Sequence, residues 1–208
     1  MRTLINPATK LSFKTAAYLY NCFCGQIPVS EFEIWLYEHE ELEACLTTDD
    51  YLVLISLDFR VKYVMNDVER LLDPYIDWSA FAKRKLQHSL QTIINRYQGI
   101  QEALIYVYDE YCLGLGFLRE LALGFGLTAS LQFYENYLPE KYKLIEAEPD
   151  RLIEDMYPEV RLAAERVIGW LDSGKVKFDV ADRWERSYID HRTKDEKQLR
   201  VIQGIQSG

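Results

Sequence analysis

The sequence predicts a mainly α-helical fold: a single irregular domain of seven to nine helices, with one stretch near residues 51–59 that also fits a short strand. Three observations support this prediction. The chain has 208 residues, of which 49% are hydrophobic, so it can bury one large core. Its apolar residues recur at intervals of three and four along most of the sequence. Glycine and proline fall mainly between these periodic segments.

The first two helices are separated by a glycine and a proline. A helix is predicted over residues 12–23, because its apolar residues share one stripe and Gly25 and Pro28 follow it. The next helix is predicted to begin at Ser30. Ser30 and Glu33 have the spacing of a capping box, in which each side chain accepts a hydrogen bond from the other residue's backbone.

The stretch at residues 51–59 fits two structures. Tyr51, Val53 and Ile55 alternate as in a strand, whereas Tyr51, Leu54 and Ile55 share one face of a helix. We favour a helix, because the flanking segments are helical and a lone strand has no partner.

The middle of the chain contains further helical stripes. Residues 61–72 keep helical spacing as far as Pro74, a longer helix ends at Gly99, and another stripe covers residues 103–111.

Four glycines follow, at positions 114, 116, 124 and 126. They do not form a dinucleotide-binding loop, because Arg119 stands where the third glycine belongs. We expect Gly114 and Gly116 to permit close helix contact and Gly124 and Gly126 to end a helix.

The composition changes near residue 175. Before it, Pro149 suits a first helical position, Tyr157–Pro158 breaks the chain, and a helix from Val160 ends at Gly174. Mixed charge dominates afterwards. We therefore predict a helical domain at 1–174 and a charged extension at 175–208, with a helix at 182–188 and a frayed tail.

Several classes of function are disfavoured. There is no apolar signal peptide or membrane-length segment, so we expect a soluble cytoplasmic protein. Three histidines and four cysteines lack metal-site spacing, and no cofactor or metal is predicted. The basic residues form no stripe, which argues against nucleic-acid binding.

The most informative feature is an acidic stretch. Between Lys14 and Arg60 there are nine carboxylates and no lysine or arginine, which accounts for the whole net charge of -9. Such a surface attracts a basic protein partner, and aromatic side chains within it supply apolar anchors. The predicted binding residues are Glu31, Glu33, Trp35, Tyr37, Glu38, Glu40, Glu41 and Glu43. The alternative is that Trp35 faces the core and the acids only keep the protein soluble.

Two other functions stay open. An enzyme would use carboxylates in a cleft, such as Glu38 with Asp109 or Glu110. A scaffold or homo-oligomer would use the apolar residues at 113–127 as its contact.

Four runs carry a resemblance to a known group of proteins. They are Glu31-Phe32-Glu33-Ile34-Trp35-Leu36-Tyr37, Glu41-Leu42-Glu43, residues 51–59 and residues 167–175. They resemble a bacterial family of small uncharacterised helical proteins, some of which are suspected to be immunity proteins of toxin systems. The resemblance implies an acidic face that blocks a basic toxin, such as a nuclease.

Overall fold

The computed structural model describes residues 10–130 and 157–198 and shows a mainly α-helical protein with one small antiparallel sheet. The chain forms two compact units. One contains the residues up to Phe81 together with Ala181–Arg183, and the other contains the remainder from Ala82 onward. The division predicted from the sequence, a domain at 1–174 and an extension at 175–208, stays a prediction.

The first unit is built from five helices and a short 3-10 turn. They are α1 (Phe13–Phe23), α2 (Val29–Glu38), α3 (Glu40–Cys45), α4 (Thr48–Ile55), α5 (Val64–Leu72) and the turn Asp73–Tyr75. Helix α6 (Trp78–Ile94) crosses the boundary between the units in the sequence. Each of these helices buries at least one apolar residue, and α5 buries a full stripe of Val64, Val68 and Leu72.

Helix α1 confirms the first predicted helix. Ser12 is its N-cap, and the Ser12 hydroxyl accepts a hydrogen bond from the Thr15 backbone N–H at 3.3 Å.

The predicted capping box at Ser30 is wrong. Helix α2 begins at Val29 with Pro28 as its N-cap, and the Pro28 carbonyl accepts from the backbone N–H groups of Glu31 and Phe32. Proline fixes its own φ and cannot donate, so it starts the helix before Ser30 can do so. The backbone turns extended at His39, which separates α2 from α3.

Most of the ambiguous stretch at 51–59 lies in helix α4, as favoured, and it forms no strand. The Thr47 hydroxyl caps this helix by accepting from the Asp50 backbone N–H at 3.2 Å. The helix predicted from residue 61 begins instead at Val64. Tyr63 has a left-handed backbone with φ 72°, which places Val61 in the preceding loop.

Within residues 82–130 and 157–198, the second unit contains the rest of α6, three further helices, a two-stranded hairpin and a short helical turn. They are α7 (Ile100–Cys112), α8 (Arg119–Leu121), α9 (Glu159–Asp172), β1 (Val176–Phe178), β2 (Tyr188–Asp190) and α10 (Lys194–Lys197). A 3-10 turn at Gly116–Leu118 precedes α8, and a π-helical segment at Ala122–Gly126 follows it. Helices α6, α7 and α9 surround its apolar core.

The glycines near α8 have different roles from those predicted. The chain stays helical beyond Gly126, so Gly124 and Gly126 do not end the helix. Gly126 is instead the close-contact position, because a Cβ there would lie 2.8 Å from the Leu104 carbonyl oxygen. Gly114 has φ 123°, a conformation that suits glycine in a turn.

The C-terminal part is partly as predicted. Helix α9 starts after Tyr157–Pro158 and ends before Gly174, which confirms the helix from Val160. The helix predicted at 182–188 is wrong, because Tyr188 begins β2, which pairs antiparallel with β1. Pro149 and the tail after residue 198 lie outside the described residues.

Candidate functional site

Helix α2 has one buried apolar side and one outer side that carries both acidic and apolar residues. Phe32 and Leu36, one turn apart, are buried in the first unit. Ile34 and Tyr37 lie on the other side, with 62% and 58% of their surface exposed. The acidic residues around them are Glu31, Glu33 and Glu38. We call the set Glu31, Glu33, Ile34, Tyr37 and Glu38 the acidic face.

Trp35 supports this face from the side nearest α1. Its ring stacks between the Tyr18 ring at 4.2 Å and the His39 ring at 4.3 Å, and it is only partly exposed. Burial, and then the charges of Cys22 and Glu31, raise the pKa of Tyr18 to about 12. Trp35 is therefore mainly a packing residue, although the sequence analysis also included it among the predicted binding residues.

Ile34 was missed by the sequence analysis, although a signal for it was present. Ile34 lies two residues after Phe32, the first residue of the buried stripe, and three residues before Tyr37. A helical projection of these positions puts Ile34 opposite the buried stripe, so an exposed apolar side chain could have been predicted there.

Glu41 is turned towards the N-terminus of α1. Its carboxylate accepts hydrogen bonds from the Ser12 backbone N–H at 2.5 Å, the Ser12 hydroxyl at 2.9 Å and the Thr15 hydroxyl. His39 Nε2 lies 2.8 Å from the Thr15 hydroxyl and 3.4 Å from Glu41. A Thr15 hydroxyl that donates to Glu41 can accept from His39 in the tautomer that carries its proton on Nε2. We call Ser12, Thr15, His39 and Glu41 the α1 clasp.

The α1 clasp sets the pKa of Glu41. Burial by itself raises that pKa, but the hydrogen bonds from Thr15, Ser12 and His39 outweigh it and bring the pKa below its usual range. Glu41 therefore stabilises the fold as a carboxylate and is less available to a partner than its neighbours.

The other acidic residues of this region have no such partners. Glu31, Glu33, Glu38, Glu40 and Glu43 form no ion pair with any described lysine or arginine. Some carboxylates elsewhere in the described chain do pair with arginine, as in Glu69 with Arg183 and Glu120 with Arg166. The negative charge of α2 and α3 is therefore directed to solvent.

The enzyme alternative gains little from the second unit. Glu110 is buried and accepts two hydrogen bonds from the Arg186 guanidinium, Nε to Oε2 at 2.6 Å and Nη2 to Oε1 at 3.2 Å. Burial raises the pKa of Asp109. Glu38 belongs to the first unit. The Glu110 carboxylate is thus a buried partner for arginine, so it lacks the freedom of a catalytic acid.

One open cleft of 490 Å³ lies in the second unit. Its lining residues are Ile94, Asn95, Arg96, Tyr157, Pro158 and Arg161. Arg96 lies over the Tyr157 ring at 3.9 Å, and Arg161 pairs with Glu165 at 2.8 Å. None of the carboxylates considered for catalysis lines this cleft.

The predicted oligomer contact at 113–127 is largely internal. Leu115, Phe117, Leu118 and Leu121 are buried in the core of the second unit, whereas Leu113 is exposed. An oligomeric state stays a prediction.

Other features of the described residues give no further indication of function. No cluster of three or more metal-binding side chains occurs among residues 10–130 and 157–198. Within the same residues, no helix has the length and apolar character needed to span a membrane. Comparisons with protein-family models, with curated proteins and with solved structures gave no match.

Proposed function

We propose that this protein binds a basic partner protein through the acidic face of helix α2. The observation that carries the proposal is the combination of two exposed apolar side chains, Ile34 and Tyr37, with carboxylates that no described cation neutralises. Apolar anchors supply affinity once they are desolvated, and surrounding charges steer a partner of opposite sign.

Helix α3 extends the same charge. Glu40 precedes Glu41 and Glu43 follows it, and both are exposed. Glu41 itself is held in the α1 clasp. Within the predicted site, Glu40 and Glu43 therefore contribute long-range attraction, while Trp35 and Glu41 hold the surface in place. A cytoplasmic immunity or regulatory role is the biological setting we propose. The resemblance to suspected immunity proteins makes a basic toxin the partner of first interest.

A capture experiment tests this proposal with a matched control. The acidic-face variant combines Glu31→Gln, Glu33→Gln and Glu38→Gln. The control combines Glu102→Gln, Glu159→Gln and Asp179→Asn, which are exposed residues of the second unit. Both variants change the net charge by the same amount.

Lysate of the native host is passed over each immobilised protein at about 50 mM and then about 300 mM salt, because the added ions shorten the range of the attraction. We expect the wild type and the control to retain the same basic protein at low salt, and the acidic-face variant to lose it. Equal loss of the partner by both variants would show that overall charge, and not this face, is responsible. Full retention by the acidic-face variant would show that this face does not bind the partner.

A further inference from the structure

A loop beside α2 carries a second exposed apolar group. Residues 56–63 connect α4 to α5. In this loop Val61 and Tyr63 have 57% and 67% of their surface exposed. These values match those of Ile34 and Tyr37 on the acidic face.

A ring contact places this loop beside α2, and a charge effect on Arg60 agrees with it. The Phe59 ring meets the Phe32 ring edge-on, with centroids 5.8 Å apart. The charge of Glu33 contributes to raising the pKa of Arg60, after the larger effects of Asp58. The loop therefore runs close to the side of α2 that carries Glu33.

The loop and the helix differ in charge. Arg60 donates two hydrogen bonds to Asp58, from Nε to Oδ1 at 2.8 Å and from Nη2 to Oδ2 at 3.0 Å. The charges of these two residues therefore cancel. Lys62 lies over the Tyr63 ring, with its nitrogen 4.8 Å from the ring centre. The acidic face thus bears only negative charge, whereas the adjoining loop keeps the positive charge of Lys62 and exposes the apolar side chains of Val61 and Tyr63.

Tyr63 also has an unusual backbone. Its φ of 72° lies in the left-handed region, which a bulky residue rarely adopts. Asparagine tolerates this conformation, so the ring can be removed without forcing the loop to change.

We infer that Val61 and Tyr63 form a second apolar part of the same binding surface, beside Ile34 and Tyr37, and that the partner is a basic protein with an apolar side chain next to its cationic groups. The inference rests on the proposed function, since it specifies which basic surface the acidic face accepts. The cationic groups face α2, and the apolar side chain lies against Val61 and Tyr63. A partner with positive charge alone would contact α2 and leave Val61 and Tyr63 uncovered.

Two helical peptides of about 20 residues, each about 30 Å long, serve as probes. Both have lysines along one face. In the first peptide the adjoining stripe is alanine, and in the second it is leucine. Binding of each fluorescently labelled peptide is measured by anisotropy at about 50 mM salt.

The wild type should bind the leucine peptide about tenfold more tightly than the alanine peptide. Tyr63→Asn and Val61→Asn together should remove that preference while leaving affinity for the alanine peptide unchanged. Tyr97→Asn is the matched control, because Tyr97 is an equally exposed tyrosine of the second unit. It should retain the preference.

The acidic-face variant separates the two proposals. It should weaken binding of both peptides. If the wild type binds both peptides equally, or if the loop variant keeps the preference, the inference about the loop is wrong and the acidic face stands. If the acidic-face variant binds both peptides as the wild type does, or if neither peptide binds the wild type, the proposed function fails and the inference fails with it.

Discussion

Glu41 gives the sharpest test of how the acidic region is built. In Glu41→Gln, the carboxylate that accepts from the Ser12 backbone, the Ser12 hydroxyl and the Thr15 hydroxyl becomes a neutral amide with one acceptor oxygen. A hydrogen bond to a charged group contributes about 1.5–3 kcal/mol when buried. Because 27% of the Glu41 side chain is exposed, we expect a total loss of about 2 kcal/mol in the free energy of unfolding.

The pH dependence of that loss is a second, independent signature. The pKa of Glu41 is lower in the folded chain than its usual value. Its contribution is therefore complete above the unfolded pKa, and it disappears as the pH falls through the folded pKa. The difference between wild type and Glu41→Gln should be largest near neutral pH and should shrink below about pH 4.

Urea unfolding followed by circular dichroism at several pH values measures both effects. Glu43→Gln is the control, because Glu43 lies in the same first turn of α3 but is exposed and has no ion pair with a described residue. We expect it to change stability by less than about 0.5 kcal/mol. If Glu41→Gln behaved like Glu43→Gln, or if its effect did not depend on pH, the role given to the α1 clasp would be incorrect.

Four other substitutions test the packing. Glu110→Ala removes the buried carboxylate that accepts two hydrogen bonds from the Arg186 guanidinium, so the free energy of unfolding should fall by about 3 kcal/mol in urea titrations. Gly126→Ala should lower the free energy of unfolding by about 1–3 kcal/mol, because the new Cβ meets a backbone carbonyl. Gly169→Ala, with nothing within 4 Å of the new Cβ, should stabilise α9 by about 0.5–1 kcal/mol. Thermal melts of the two variants show whether one is destabilised and the other stabilised. Trp35→Ala removes three ring contacts, with Tyr18, Phe32 and His39, and should cost about 2 kcal/mol. Unchanged stability together with lost partner binding would instead make Trp35 a direct anchor.

The sequence predicted the elements whose information is local. Helix α1 and helix α9 combine a regular apolar stripe with a cap or a terminating glycine, and both were predicted correctly. At the start of α2, two local signals compete: Pro28 and the Ser30 capping pattern. The structure uses the proline, which restricts the backbone more strongly than a serine does.

The errors arise where distant residues decide the structure. The strands β1 and β2 have three residues each, too few for an alternating pattern to be recognised, and they are stabilised by pairing across a ten-residue separation or more. Gly126 was assigned to a helix end, but its role depends on the Leu104 carbonyl, more than twenty residues earlier.

The candidate site shows the same division. A count of charges located the acidic region, and helical spacing would have placed Ile34 on the exposed side of α2. The turning of Glu41 towards Ser12 could not be predicted, because these residues are 29 positions apart and no local pattern links them. Sequence thus identified the charged segment, and the fold determined which of its carboxylates are free for a partner.

Glu38 is the carboxylate for which the fold offers the least explanation. Glu31 and Glu40 lie in the first turns of α2 and α3, where the helix dipole favours negative charge, so the fold itself benefits from them. Glu38 is the last residue of α2, where the same dipole disfavours it. Glu38→Gln should therefore raise the free energy of unfolding by about 0.3–1 kcal/mol while weakening capture of the basic partner. Glu31→Gln should weaken capture too, but should lower stability. If Glu38→Gln stabilised the fold and left capture intact, Glu38 would have no part in the binding surface.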